Sequence, residues 1–178
     1  EELSEIYNSL CQGKKPELRS VEHSYFSYVE NYTRWLESPN AEEMLDYWLK
    51  ELENTNLSLD LPTDFERPKQ LSLKGRSVKF SIEPDFASKV KAFSAENLVT
   101  PFVILLSAYA SMLSRLSNKK QVIIGVPMSN RRREENKNIF GCFVNIVPIK
   151  VDFSNNISGL EVIKQIRVAL FKAHRNQE

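Results

Sequence analysis

Few residues of this 178-residue chain combine a type and a spacing that could do chemistry. Arg131, Arg132 and Arg133 stand in a row, and a guanidinium can fork hydrogen bonds to a phosphate or a carboxylate. Glu134 and Glu135 follow at once and offset most of the local field, so the run reads either as a solvated or interdomain loop or as a phosphate grip. Asp64 and Arg67 straddle a proline-rich turn, where a local ion pair suits them better than catalysis. Such an exposed pair contributes only about 0–1 kcal/mol. His174, near the end of the last helical stripe, suits that helix's C-terminal dipole. His23 heads an aromatic stretch and has no acid or nucleophile near it in sequence. Tyr25, Tyr28, Tyr32 and Trp35 share one helical face, which serves stacking on a ligand or, more commonly, packing in a core. Asn145 interrupts an apolar strand pattern. An inward amide needs its hydrogen bonds, and structural satisfaction and a substrate-facing role fit it equally.

What is missing narrows the chemistry further. Cys11 and Cys142 lie far apart without companion ligands, which argues against a zinc ribbon and a disulfide scaffold. The two histidines form no HxxxH or HExxH arrangement, and the five glycines never cluster into a phosphate loop or a dinucleotide fingerprint. A formal net charge of +1 gives no electrostatic reason to expect nucleic acid or an anionic membrane as partner. No basic n-region opens the chain, and the apolar run Pro101 to Leu113 is too short to span a bilayer, so the expected compartment is the cytosol.

The elements that must position these residues alternate between helix and strand. Leu3, Ile6, Tyr7 and Leu10 predict a helix closed by Gly13, and residues 25–36 a second. Asn40 with Glu43 resembles a capping pair for a third helix carrying Met44, Trp48 and Leu52. Residues 57–70 form a loop. Val78, Phe80 and Ile82 then alternate with polar residues as a half-exposed strand. Pro84 starts a helix ending near Asn97, and Thr100-Pro101 marks the start of a buried one. Val122 to Val126 suits a central strand covered on both faces. A last strand over about 142–151 puts Phe143, Asn145, Val147, Ile149 and Val151 on one face, with Pro148 requiring an edge or bulge. Leu160, Ile163, Ile166, Leu170 and Ala173 form the final helical stripe. The predicted class is α/β, a two-layer sandwich with a mixed sheet and helices packed on it. Both ends look cut from a longer polypeptide.

Three strings sharpen this reading: LPTDFERP at 61–68, IGVPMSNRRREENKNIFGCFVN at 124–145, and HRNQE at 174–178. In this order and spacing they resemble the condensation domains of non-ribosomal peptide synthetases, and the likeness takes in the tyrosine-rich helix and the Tyr47-Trp48 pair. The resemblance implies one lobe, the C-terminal one, of a domain related to chloramphenicol acetyltransferase, truncated at both ends. Two such lobes enclose a tunnel. Peptidyl or acyl carrier proteins bring donor and acceptor thioesters on 4'-phosphopantetheine arms, and the acceptor amine attacks the donor carbonyl. No cofactor is then expected to bind this chain directly. Its partners would be the donor and acceptor carriers, the N-terminal lobe and adjacent synthetase domains, with no nucleic acid and no membrane.

The family hallmark HHxxxDG does not occur in these residues, so the resemblance implies that the reactive His lies upstream and that the 178-residue chain alone is inactive. It assigns Asn145 to the tunnel and makes Gly125, Pro127, Arg131, Gly141, Phe143, Asp64 and Arg67 structural or interlobe positions, with Arg131 pinning a crossing loop to a carboxylate on the other lobe. Two positions depart from the pattern: Ser27 stands where an acid is usual, and Ile146 where the family has Thr.

Overall fold

The computed structural model describes every residue except 1, 19, 21, 22, 67, 71, 73 and 132. In chain order the elements are α1 (Glu2–Cys11), α2 (Tyr25–Leu36), α3 (Pro39–Leu52), α4 (Pro84–Glu96), α5 (Pro101–Ser117), β1 (Gln121–Met128), α6 (Glu134–Lys137), β2 (Asn145–Asp152) and α7 (Gly159–Arg175). The chain divides into two compact units, residues 1–43 with 129–144 and residues 44–128 with 145–178. Among the described residues no single helix is long and apolar enough to cross a membrane.

The larger unit is built on an antiparallel pair running from Gln121 opposite Asp152 to Met128 opposite Asn145. Branched side chains favour this pleated surface, and in β2 every second residue, Val147, Ile149 and Val151, is buried. On these sit Val103, Leu106 and Ala110 of α5 and Val162, Ile163 and Ile166 of α7, forming one apolar cluster. Each fully buried side chain of this size contributes roughly 1.5–3 kcal/mol. Both helices start where local chemistry dictates. Thr100 Oγ1 accepts from Val103 N at 3.4 Å ahead of Pro101, and Ser158 with Glu161 forms a reciprocal capping box on α7. Pro148 lies opposite Gly125, where a Cβ would come within 2.9 Å of Ile146 Cγ2. Gly125 is therefore held as glycine by a side chain on the neighbouring strand.

Five expectations need correction. Residues 77–83 form no strand; Val78 is 87% and Phe80 84% exposed. A strand exists only by pairing, and the two described strands pair with each other. For the same reason the sheet is an antiparallel pair rather than a mixed one. β1 is covered on one face, at Val122 and Val126, while Gly125 and Pro127 are exposed. β2 begins at Asn145, so Phe143 is off the sheet. Finally, α3 starts at Pro39, whose fixed φ suits a first turn, and Asn40 lies inside the helix instead of capping it.

In the smaller unit, Gly13 ends α1 at φ +67°, with its N–H on Leu10 O and that of Lys14 on Ser9 O. This left-handed stop is the one its position after the apolar stripe predicts. Ser24 caps α2: Ser27 N donates to Ser24 Oγ, and Ser24 N donates to Ser27 Oγ, both at 3.1 Å. Ser27, one of the two positions that depart from the resembled pattern, thus forms a reciprocal cap through its hydroxyl.

Candidate functional site

Two junctions, one in each unit, gather the residues singled out above. In the smaller unit Arg131 grips its own loop. Its Nη1 donates to Asn136 O at 2.5 Å and Ile139 O at 2.8 Å, and its Nη2 donates to Gly141 O at 2.9 Å. The guanidinium carbon stands 4.1 Å from the centre of the Phe143 ring, a cation–π contact. Phe143 is in turn packed by Tyr25 at 5.4 Å edge-on and by Tyr28 at 4.4 Å between ring centres. Tyr25 Oη donates to Cys142 O at 2.8 Å. Gly141 completes the set, because a Cβ there would lie 2.2 Å from Tyr25 Cδ2. The aromatic ladder continues along α2 through Tyr28, Tyr32 and Trp35, with successive rings 5.6–5.9 Å apart.

In the larger unit the end of α7 is held by residues far away in sequence. Trp48 Nε1 donates to Asn176 O at 2.8 Å, and Asn145 Nδ2 donates to Gln177 O at 2.6 Å. Gln177, only 2% exposed, returns Nε2 to His174 O at 2.9 Å and stands 3.3 Å from that ring's Nδ1. Asn145 Oδ1 accepts from Ile146 N at 2.9 Å, so both ends of the amide are engaged with backbone. Tyr47 meets Trp48 edge-on at 4.9 Å. Burial, reinforced by the Glu51 charge, pushes the Tyr47 phenol up, so it stays protonated and is unsuited to act as a base.

Beside α7, a cleft of about 400 Å³ is lined by Glu51, Lys150, Asp152, Lys164, Gln165 and Lys172 among others. Lys150 Nζ donates to Glu51 O. Burial raises the Asp152 carboxyl, but hydrogen bonds from Ser154 and Gln121, with the Lys150 charge, outweigh it and hold the group below its ordinary value.

These contacts place most of the expected residues. Arg131, Gly141 and Phe143 come together. Asn145 and Trp48 each bond a backbone carbonyl of the HRNQE string, at Gln177 and Asn176. Gly125 and Pro127 lie in β1, opposite Pro148 and Ile146. Asp64 is exposed and forms no ion pair among the described residues, while Arg67 lies outside them. Arg131 holds three carbonyls, with no carboxylate among its described partners. Arg133 lies 3.7 Å from Glu135, and Arg132 is outside the described residues. Trp48 and Gln177 emerge as members whose roles residue type did not announce, while Tyr25 adds a hydrogen bond to the packing its aromatic face implied. Among the described residues no group of His, Cys, Asp and Glu could hold a metal ion. The chemistry on view is positioning: fixed carbonyls, aligned rings and a pinned helix end.

Comparison with known proteins agrees with that frame. The sequence model of the condensation domain matches residues 1–178. Malpinin synthetase of Mortierella alpina is 32% identical over 177 residues, covering 99% of this chain and 2% of the synthetase. The X-domain from teicoplanin biosynthesis superposes with a TM-score of 0.89 at 19% identity, over 98% of this chain and 40% of that one. Its complex with OxyB gives 0.83 at 18% identity, over 98% and 39%. The first condensation domain of the CDA synthetase gives 0.76 at 15% identity, over 98% and 38%. The fold is that of these solved domains, in the α/β class. The chain belongs to the condensation-domain family of non-ribosomal peptide synthetases, and it spans about two fifths of the solved domains and a few per cent of the curated synthetase it matches.

Proposed function

We propose that the chain is the C-terminal lobe of a condensation domain that forms an amide bond between thioesters delivered by two carrier proteins. The observation that carries this reading is the family match along all 178 residues, joined to a fold likeness covering about two fifths of solved condensation-domain chains. In this reading the reactive His comes from the other part of the domain, and each carrier brings its substrate on 4'-phosphopantetheine. This chain shapes the tunnel wall. Asn145 acts by position, tying the start of β2 to the end of α7, and Arg131 fixes the loop that leads into β2. Aligning two reactants at a thioester can itself supply about 7–11 kcal/mol of effective molarity. The test is dipeptide formation between loaded carriers by the complete domain containing this segment, with the isolated chain as the inactive control. Absence of product with every donor–acceptor pair, or turnover by the isolated chain, overturns the reading.

A second reading is a non-catalytic interaction module. It is favoured by the higher TM-score to the teicoplanin X-domain, which has been solved in complex with OxyB. Partner binding by the complete domain, with no condensation by it, would select this second reading.

A further inference from the structure

We infer that the outward face of α7, with the lysine-lined cleft beside it, is a docking face for an acidic protein surface with an apolar centre, and that its occupant is a carrier domain. This rests on the proposed function and adds to it the place where one carrier sits.

α7 has two distinct faces. Val162, Ile163, Ile166 and Ala173 are buried against the sheet and α5. Outward, Lys164, Arg167, Lys172 and Arg175 surround Val168 and Phe171, and Phe171 is 65% exposed. Steps of three and four residues link these six positions, so they share one helical surface. Among the described residues no ion pair engages the four cations. The helix's single acid, Glu161, is committed to the capping box with Ser158. A chain of net charge +1 thus concentrates four cations on one exposed helix face. The cleft adds Lys150 to this field and also carries the carboxylates of Glu51 and Asp152, the latter bonded by Gln121 and the Ser154 amide.

An apolar centre ringed by unpaired cations matches a partner with carboxylates around an apolar contact. A bilayer fits poorly. An interfacial helix inserts a broad apolar face, and the broad apolar face of α7 is spent in the core. Nucleic acid gains little from an exposed phenyl ring on a chain so close to neutral.

The experiment compares the complete domain with the double variant Lys164→Glu/Lys172→Glu and with a control reversal on α4, Lys89→Glu/Lys91→Glu. Binding of the phosphopantetheinylated carrier domain of the same synthetase is titrated at two salt concentrations. The α7 reversal should weaken binding by at least about ten-fold, and the control should change it by less than about two-fold. The wild-type Kd should rise with salt, and a carrier with its surface acids changed to Lys should recover affinity for the reversed domain. Circular dichroism and Tm establish that both variants are folded. Equal carrier binding by wild type and the folded α7 variant overturns the inference while leaving the proposed function standing. Condensation by the α7 variant at the wild-type rate with subsaturating carrier does the same. If the wild-type domain fails to condense at all, the proposed function falls first. Binding of wild type to vesicles with 30% phosphatidylserine in place of the carrier, lost in the α7 variant, also overturns the inference.

Discussion

Replacing Arg131 by Met keeps most of the side chain's length and removes its charge and its three donors. Charge-assisted hydrogen bonds contribute about 1.5–3 kcal/mol each, but here one half-buried group makes all three, so the low end applies and the values do not add in full. A loss of about 3 kcal/mol for the set, with about 0.5–1 kcal/mol for the contact over Phe143, gives about 3–4 kcal/mol in total. Lys at this position recovers the charge without the planar fork, so Arg131→Lys should retain about a third of that. The loss falls on the loop over 136–143, where about 3 kcal/mol corresponds to roughly a hundred-fold larger open population. Hydrogen exchange of peptides covering 136–143 should accelerate accordingly, with peptides from β2 and α7 changing far less. Were Arg131→Lys to exchange there at the wild-type rate, positive charge alone would be holding the loop and the three-carbonyl grip would be wrong.

Three further outcomes follow from other contacts. Gly141→Ala should displace the Tyr25 ring and break its bond to Cys142 O, costing about 1–3 kcal/mol by urea titration; a stability change under about 0.5 kcal/mol would mean the loop yields freely. Asn145→Ala and Trp48→Phe each remove one donor from the end of α7. Each should cost about 1 kcal/mol and raise exchange in residues 170–178, and a double variant costing the full sum of the two singles would show that the two bonds do not act on one element. The folded-state values of Asp152 and Glu161 both lie below the unfolded ones, so their stabilisation is present above the ordinary carboxylate range and is lost as pH falls through the lower folded values. Tm should therefore fall on acidification below about pH 4, and Asp152→Asn should flatten that limb; an unchanged slope would assign the acid sensitivity elsewhere.

Local signals in the sequence translated well into structure. Thr100 followed by Pro101 placed the start of α5, and Gly13 the end of α1, because each acts within a few residues of itself. The pattern at Val78, Phe80 and Ile82 misled for a definable reason. Period two says which side chains would share a face, but nothing about whether a partner strand is there to take the backbone hydrogen bonds. Alternation alone carries Phe143 onto the β2 face, whereas the ladder starts two residues later and frees it to pack on Tyr25. Within this chain Arg131 bonds three backbone carbonyls, a set of acceptors that residue type does not announce. Backbone carbonyls leave no signature in sequence, and neither does a donor such as Trp48 whose acceptor lies 128 positions away.

That separation also sets a clock. Tyr25 and Cys142 are 117 residues apart, so a ribosome adding about 5–20 residues each second takes about 6–23 s to make the acceptor after the donor. During that interval α2 has its own serine cap but not the ring of Phe143, and Trp48 waits as long for the carbonyl of Asn176. Both junctions close late in synthesis, in a window when Val103, Leu106 and Ala110 of α5 still lack β2 and α7 and are open to chaperones and to neighbouring nascent chains. Slowing translation should lengthen the life of this half-built state, while the finished fold would be unchanged.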